Sequence, residues 1–366
     1  MSEGASQGRP RPEERTERAM SARAKSDVGS RTAPEVIGRV REPVQQALRA
    51  AVATLEDERM RLIASYQLGW CDRDGNPATS GGGKAIRPAL AVMSAQAGLG
   101  TVEDGLSGAA AVELVHNFSL LHDDVMDRDL ERRHRPTGWA VFGEGQAILA
   151  GNAMLTCAIE VLAGDGERGR RALPCLLAAT QRLISGQSDD LYFEGAEAIT
   201  VQDVLHMEAG KTAALLACSA SIGALAAGGS AEVVAALHDY GHELGMSFQL
   251  VDDILGITGD PAVTGKSASS DVRAGKRSAP VVAALTAGTD ASRRLADLLA
   301  GGAPSTEEDV VLATKLIEEA GGIDWAAREA DAHLARALGR LNALPSPQPV
   351  LDDLVAVARY VVDRDH

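Results

Sequence analysis

The chain has 366 residues, of which 45% are hydrophobic, so it can bury the core of one large domain or of two ordinary ones. Aromatic residues make up only 3%, and the abundance of Ala, Leu and Val favours helices over sheets. The formal net charge of −15 argues against a nucleic-acid partner. It does not exclude a phosphate-bearing substrate, because divalent cations can reverse the local sign of the electrostatic field.

Residues 1–33 differ in composition from the rest of the chain. They contain almost no large apolar side chains and carry seven Lys or Arg against five Asp or Glu. Such a segment cannot bury enough surface to fold by itself, so we expect a disordered tail. The tail lacks the apolar stretch of a secretory signal, and the four cysteines have no metal-like spacing. These features predict a cytoplasmic protein with reduced cysteines.

From Pro34 onward the pattern is that of successive helices. Residues 34–70 are typical of an amphipathic helix with a break near Pro43, and a loop rich in Gly and Asp follows at 71–83. Ala- and Leu-rich stretches then follow, separated by Gly and Pro clusters, at 88–99, 106–128, 143–164, 170–195, 202–228, 231–258, 280–300, 307–320, 324–342 and 350–363. The pattern predicts an all-α fold of about ten helices in a single domain over residues 34–366.

One uncharged run, from Thr212 to Ser230, is long enough to span a bilayer. It consists largely of Ala, Gly and Ser, which favour close packing against other helices. We therefore interpret it as a buried helix and expect no membrane span.

Paired aspartates interrupt two apolar helical segments. The first segment is FSLLHDDVMDRD, with Asp123, Asp124 and Asp127; the second is FQLVDDILGITGD, with Asp252 and Asp253. Residues four apart share one helix face, so the carboxylates at 123 and 127 lie one turn apart. Carboxylates that face a helical core need compensating cations, and Mg²⁺ binds one or two carboxylates together with phosphate oxygens and water. The alternative is a solvated helix face or a helix N-cap. A haem or di-iron bundle would need Glu-x-x-His pairs, which these sites lack.

Cationic residues form a second group of candidates. They follow the aspartate motifs or Gly-rich loops, an arrangement common in phosphate sites. An isolated surface cation would instead be merely solvated. The candidates are Lys84 and Arg87 in SGGGKAIRP, Arg132 and Arg133 in LERRHRPT, Lys211 beside Thr212 in GKT, and Lys266 and Lys276 in TGKSASSDVRAGKRS. His116 lies two turns before Asp123 on nearly the same face, where a hydrogen-bonded core histidine is the alternative.

Taken together and in order, these motifs resemble those of the trans-type isoprenyl diphosphate (polyprenyl) synthases. The matching segments, from about residue 48 onward, are GGGKAIRP, ELVHNFSLLHDDVMD, RRHRPT, AILAGNAML, GQSDD, KT, FQLVDDILGITGD and TGK…D…GK. The resemblance implies a helical bundle around a deep central cavity, usually in a homodimer. It also implies Mg²⁺-dependent condensation of isopentenyl diphosphate with an allylic diphosphate (dimethylallyl, geranyl or farnesyl diphosphate), with three ions bound beside the diphosphate.

The resemblance assigns roles to single residues. The principal Mg²⁺ ligands would be Asp123, Asp127 and Asp252, with Asp124 and Asp253 beside them. The allylic diphosphate would be held by Arg132, Lys211 and Lys266, assisted by Lys276. Isopentenyl diphosphate would be held by Lys84, Arg87, His116 and Arg133. Further residues lining the site would be Gln187 and Asp190, and those flanking the developing carbocation would be Thr212 and Gln249.

Three positions depart from the family pattern. Gly256 stands where the second motif often has a third Asp, Ala85 where many members have Arg, and Asn152 where Asp is frequent. Gly256 therefore removes one outer carboxylate from the second site.

Product length in this family often depends on the residue five before the first Asp. Here that residue is Phe118, with the small Ser119 beside it, and the motif is the short DDVMD form. This combination resembles geranylgeranyl diphosphate synthases, whereas a second bulky residue at 119 would indicate the farnesyl product. The alternative for Phe118 is an ordinary core residue.

Other functions remain as alternatives to the geranylgeranyl product. They are a farnesyl or longer-chain synthase, a terpene cyclase, and a non-catalytic regulatory homologue. Cyclases need no second diphosphate site, so the presence of Lys84, Arg87, His116 and Arg133 favours elongation. For the tail, we hypothesise docking onto a partner such as a downstream enzyme or a protein shell; an extension without a partner is the alternative.

Overall fold

The computed structural model describes residues 31–78, 83–132, 134–196, 198–259, 269–342 and 344–362. This part of the chain contains fifteen helices and one hairpin of two-residue strands. The early elements are α1 (Ala33–Ala53), α2 (Glu58–Gln67), α3 (Ile86–Ala97), α4 (Val102–Met126), β1 (Glu131–Arg132), β2 (Arg135–Pro136) and α5 (Gly138–Phe142). The central helices are α6 (Glu144–Ala163), α7 (Gly166–Phe193), α8 (Val201–Ala227), α9 (Ala231–Thr258) and α10 (Ser270–Arg273). The last are α11 (Ala279–Thr286), α12 (Asp290–Leu299), α13 (Glu307–Glu319), α14 (Gly322–Leu341) and α15 (Gln348–Val362).

The all-α prediction is confirmed, and the helix count exceeds the expected ten for identifiable reasons. The stretch 34–70 forms two helices, and the stretch 280–300 is divided at Gly288, whose φ of 71° suits the left-handed end of a helix. The short helices α5 and α10 had no periodic signal of their own.

The expected break at Pro43 is wrong. Helix α1 continues through Pro43 to Ala53. A proline inside a helix removes one backbone hydrogen bond. Here Val36, Val40 and Val44 lie on one face and are all buried, so packing holds both sides of the proline in a single helix.

The folded part begins before the expected boundary at residue 34. Arg31 donates from Nε to Oδ1 of Asp353 at 2.9 Å, and Asp353 on α15 is only 5% exposed. Arg39 donates to the same carboxylate. Composition assigns a charged residue such as Arg31 to the tail because it cannot show a distant buried partner. Residues 1–30, which hold the rest of the expected tail, lie outside the described residues.

Helix α8 lies at the centre of the bundle and packs against α3, α4, α7 and α9. Its second half, Ala214–Ala227, is built from small residues and is almost wholly buried, which confirms the prediction of a core helix. Among the described residues, two helices are long and apolar enough to cross a membrane by length and composition alone. The most apolar window of α8 is 83% buried, and that of α6 is 39% buried.

Local capping explains where the helices that carry the site begin. Thr101 and Thr200 precede α4 and α8, and each side chain accepts from the backbone N–H three residues later, at Asp104 and Asp203. The two aspartates in turn accept from the backbone N–H of the threonines at 2.9 Å. Such reciprocal capping satisfies donors that a helix start would leave unpaired.

Candidate active site

Both aspartate motifs line one cavity, as the sequence predicts. Asp123 and Asp127 come from α4, and Asp252 and Asp253 come from α9. Cationic side chains line the same cavity, including Arg132 on β1 and Lys276 and Arg277 after α10. The fold therefore brings acidic and basic candidates from distant parts of the chain together around one cavity.

The end of α4 presents Asp123 and Asp127 on one face. Partial burial raises the pKa of Asp123 to about 6; Asp127 adds to the rise, while Lys211 acts in the opposite direction. Asp127 lies 3.7 Å from the ammonium of Lys276, measured from Oδ2 to Nζ. Both carboxylates are therefore held in a site where a positive charge stabilises them.

Asp124 points away from its neighbours. It is 1% exposed and is absent from the described residues that line the cavity. Arg132 donates from Nε to its Oδ1 at 2.7 Å. The expected metal ligand at 124 thus takes part in an ion pair that orients Arg132, a residue expected to bind diphosphate.

In the second motif, hydrogen bonds fix Asp253. It accepts from the side-chain amide of Gln249 at 2.7 Å and from the backbone N–H of Ala279 at 3.0 Å. Gln249 accepts from the Thr212 hydroxyl at 2.7 Å. Burial raises the pKa of Asp253 to about 6. Thr212 and Gln249, which we expected beside the carbocation, therefore form a chain that ends at the second aspartate motif.

Lys211 and Thr212 lie in a π-helical segment of α8, Ala209–Ala213. Such single-turn irregularities are frequent at functional sites. Helix α7 crosses this segment at Gly186, where a Cβ would lie 2.2 Å from the backbone nitrogen of Lys211. The close approach brings Asp190, one turn along α7, to the Lys211 ammonium, which donates to its carboxylate.

The expected isopentenyl diphosphate residues are only partly brought together. Arg87 and His116 line the cavity, with 3.4 Å between Nη1 and Nε2. Lys84 is exposed, lies outside the described lining, and places its ammonium 5.0 Å from the ring centroid of Tyr360. Ala85 has a left-handed φ of 54°, which turns the chain before α3. Arg133 and Lys266 lie outside the described residues.

The predicted chain-length residues occupy different environments. Phe118 is 6% exposed and packs edge-on against His122, with ring centroids 4.9 Å apart. Ser119 and Leu120 line the cavity. Gln187 is buried on α7, and neither atom of its amide has a hydrogen-bond partner among the described residues.

Four charged cavity residues have no role assigned from the sequence: Asp129, Glu208, Asp271 and Arg277. Glu208 is 2% exposed, and its carboxyl group lies beside that of Asp253. Burial and the nearby Asp253 raise its pKa well above the usual range. The available signals were a lone Glu in an apolar helix three residues before Lys211, and the Asp and Arg of TGKSASSDVRAGKRS.

The residues present suit Mg²⁺ that is shared with a phosphate group. Several partly or fully buried carboxylates face one cavity, and a cation would relieve their desolvation. Within the described ranges, no three acidic, His or Cys side chains converge closely enough to enclose an ion by themselves. Mg²⁺ takes the remaining oxygens from phosphate and water.

The chain is similar over most of its length to several known proteins. The family model for polyprenyl synthetase matches residues 70–317. A Mycobacterium tuberculosis protein named (2E,6E)-farnesyl diphosphate synthase is 43% identical over 93% of this chain and 95% of its own length. A second M. tuberculosis protein, named geranylgeranyl diphosphate synthase, is 42% identical over 90% of this chain and 93% of its own.

Solved structures show the same fold. The crystal structure of polyprenyl synthetase from Streptomyces coelicolor has a TM-score of 0.85 and 47% identity, and the match covers 90% of this chain and 99% of that one. Geranylgeranyl pyrophosphate synthase from Corynebacterium glutamicum, complexed with isoprenyl diphosphate and magnesium, has a TM-score of 0.79 and 28% identity. That match covers 91% of this chain and 100% of the other.

Proposed function

Because this chain belongs to the polyprenyl synthetase family and is a prenyltransferase, we propose that it joins isopentenyl diphosphate to an allylic diphosphate and releases geranylgeranyl diphosphate. One observation carries the proposal: a single cavity combines two aspartate motifs with two groups of basic side chains. Lys211 and Lys276 form one group, beside the aspartates, and Arg87 with His116 forms the other. Two groups fit two diphosphates, whereas a terpene cyclase needs one.

In this mechanism the chain binds and orients two charged substrates. Asp123, Asp127 and Asp252 would hold Mg²⁺, which neutralises charge on the departing diphosphate when bound. Lys211 and Lys276 stabilise the same negative charge as the allylic C–O bond breaks. Arg87 and His116 hold isopentenyl diphosphate so that its double bond attacks the allylic carbon, after which a proton leaves.

Uncharged residues of the cavity shape the reaction. Leu120, Leu183 and Leu215 line it beside the charged groups and exclude water from the cationic carbon. The Thr212 hydroxyl and the Gln249 amide present oxygen dipoles in the same region, held in place by their mutual hydrogen bond.

For the product length there is one close alternative, farnesyl diphosphate. Relatives named for the farnesyl and the geranylgeranyl product are 43% and 42% identical to this chain. The small Ser119 on the cavity wall supports the longer product, because it leaves space beside Phe118.

Product sizing tests this proposal. Incubating the protein with isopentenyl diphosphate and each allylic starter should give a twenty-carbon main product. Phe118→Ala should shift the products beyond twenty carbons. Phe142→Ala is a matched control, since Phe142 packs edge-on against Tyr66 at 5.3 Å between centroids, and it should leave product length unchanged. A fifteen-carbon main product from the wild type would refute the geranylgeranyl proposal, and unchanged products from Phe118→Ala would place the chain-length limit elsewhere.

We also propose a homodimer in which α6 and α7 meet a second copy. Exposed apolar side chains form a patch on these helices at Ile148, Leu149, Ile184 and Leu191, and residues seven apart on α7 share one face. Sedimentation should give twice the mass of one chain, and Leu149→Asp with Ile184→Asp should give single chains. A wild-type protein that sediments as one chain would refute the dimer.

A further inference from the structure

Arg135 connects the β1–β2 hairpin to the turn at residues 70–78. In the hairpin, Arg132 and Arg135 lie directly opposite each other, so their side chains leave it on one face. Arg132 donates to Asp124 and lines the cavity. Arg135 reaches the turn instead, where its Nη2 donates to the carbonyl oxygen of Cys71 at 3.1 Å. Two segments that are distant in the chain are therefore joined through one guanidinium.

Tyr66, at the end of α2, provides a second contact for Arg135. The guanidinium carbon lies 4.4 Å from the centroid of the Tyr66 ring, within the range of a cation–π interaction. The ring is fixed, because Tyr66 is only 6% exposed and its hydroxyl donates to the carbonyl oxygen of Pro136 at 2.7 Å. A planar guanidinium can stack on a ring and donate to a carbonyl at the same time, which an ammonium cannot do.

The turn that Arg135 contacts is closed by its own backbone. Cys71 and Pro77 form an antiparallel bridge, and the backbone N–H of Ala78 donates to the carbonyl oxygen of Trp70 at 3.0 Å. A displacement of Cys71 would therefore move the turn as a unit, up to the point from which the chain continues toward Lys84.

Both of the joined segments carry cations that the family resemblance assigns to isopentenyl diphosphate. Lys84 follows the turn in the chain, and Arg133 follows Arg132. On the allylic side, Arg132 has a support of its own, because Asp124 holds it from α4. Loss of the connection should therefore loosen the isopentenyl diphosphate side more than the allylic side.

We propose that Arg135 is a positioning residue for isopentenyl diphosphate, which fixes the turn before Lys84 relative to the hairpin. The proposal rests on the proposed function, in which the cavity binds two diphosphates. Arg135 is absent from the described residues that line the cavity. Its effect on the substrate is therefore indirect, through the segments that it joins.

The Michaelis constants of the two substrates test the proposal. Arg135→Leu should raise KM for isopentenyl diphosphate about tenfold, the equivalent of one hydrogen bond to a charged group. KM for the allylic diphosphate should stay within about twofold of wild type, a change below 0.5 kcal/mol. Partial loss of folded enzyme would lower the apparent kcat and leave both Michaelis constants unchanged. An unchanged KM for isopentenyl diphosphate, or an equal rise for both substrates, would overturn the proposal.

Arg135→Lys separates geometry from charge. Lysine keeps the positive charge but has neither the planar fork nor the ring stacking of arginine, so KM for isopentenyl diphosphate should remain raised. A lysine variant with the wild-type KM would show that a charge near the diphosphate is sufficient, and the positioning role would be wrong. This variant also keeps the test decisive if Arg135→Leu does not fold.

Arg49→Leu is the matched control. Arg49, on α1, lies over the ring of Trp70 at the same 4.4 Å and is exposed, so this variant removes an equivalent contact with the turn and leaves the hairpin connection intact. Both Michaelis constants should be unchanged. A rise as large as that of Arg135→Leu would show that any loosening of the turn has this effect, and would overturn the role of the connection.

The wild-type protein separates failure of the inference from failure of the proposed function. If it forms no product from isopentenyl diphosphate and any allylic diphosphate, the proposed function fails and the inference fails with it. If it turns over both substrates and Arg135→Leu has the wild-type KM for isopentenyl diphosphate, only the inference fails.

Discussion

The two aspartate motifs reach the same cavity by different routes. The first lies at the end of α4, where Asp123 is in the last turn, Asp127 is the C-cap residue one turn later, and Asp124 is turned toward Arg132. The second has Asp252 and Asp253 on α9, with Gly256 where a further carboxylate is frequent and Asp271 filling its space from α10. One site is therefore local to a single helix, and the other is assembled from two elements.

This difference shows how much of each site a helix can specify. Spacing along α4 is sufficient to place two carboxylates, because α-helical geometry fixes their relation. On α9 the same geometry leaves a gap, and tertiary packing determines what fills it. In both motifs the second Asp is held by hydrogen bonds: Arg132 donates to Asp124, and the Gln249 amide and the Ala279 backbone N–H donate to Asp253.

The largest expected effect tests whether the carboxylates of both aspartate motifs are needed for turnover. Asp123→Ala, Asp127→Ala and Asp252→Ala should each lower kcat/KM about 10³-fold, roughly 4 kcal/mol of lost transition-state stabilisation, because each removes a carboxylate that holds the metal. Steady-state kinetics with isopentenyl diphosphate and an allylic diphosphate measure this, with circular dichroism as the control for folding. Activity within about tenfold of wild type for all three variants would show that the metal-cluster interpretation is wrong.

The smaller expected effect concerns pH, since protons compete with Mg²⁺ for carboxylates. The pKa of Asp123 is raised to about 6, so the Mg²⁺ concentration at half-maximal binding should fall as pH rises from 5 to 7 and become constant above. At pH 5 we expect binding about tenfold weaker than on the plateau for one displaced proton. The measurement is a Mg²⁺ titration with diphosphate at each pH, and a midpoint that is the same at pH 5 and 7 would contradict it.

In the metal-free protein the same pKa shift acts on stability with the opposite sign. The folded carboxyl of Asp123 binds its proton more tightly than the unfolded one, whose reference pKa is 3.8. Its contribution to the free energy of unfolding is therefore complete below about pH 4 and is lost as pH rises through about 6. Asp123→Asn should remove this part of the pH dependence, which thermal unfolding without Mg²⁺ would detect.

The sequence predicts the helical fold because local periodicity specifies it, whereas the meeting of the two motifs in one cavity is implied by the family resemblance. It assigns Lys84 to the isopentenyl diphosphate site but does not show the left-handed turn at Ala85, because an ordinary Ala residue gives no signal of that conformation. It misses Glu208, whose burial depends on packing between α8 and α9. It shows that position 256 lacks a carboxylate. It cannot show that Asp271, fifteen residues later, approaches Gly256, because that contact depends on tertiary packing.

The π-helical turn at Ala209–Ala213 determines which residues of α8 face the cavity. A π turn is equivalent to one extra residue in an α-helix, and one residue corresponds to about 100° of rotation. The orientation of Lys211 and Thr212 relative to the buried half of α8 therefore depends on how many residues the turn contains. Two chains could have identical motifs and still differ by one residue in this turn. They would then present different faces of α8 to the cavity, so the number of residues in the turn matters as well as their identity.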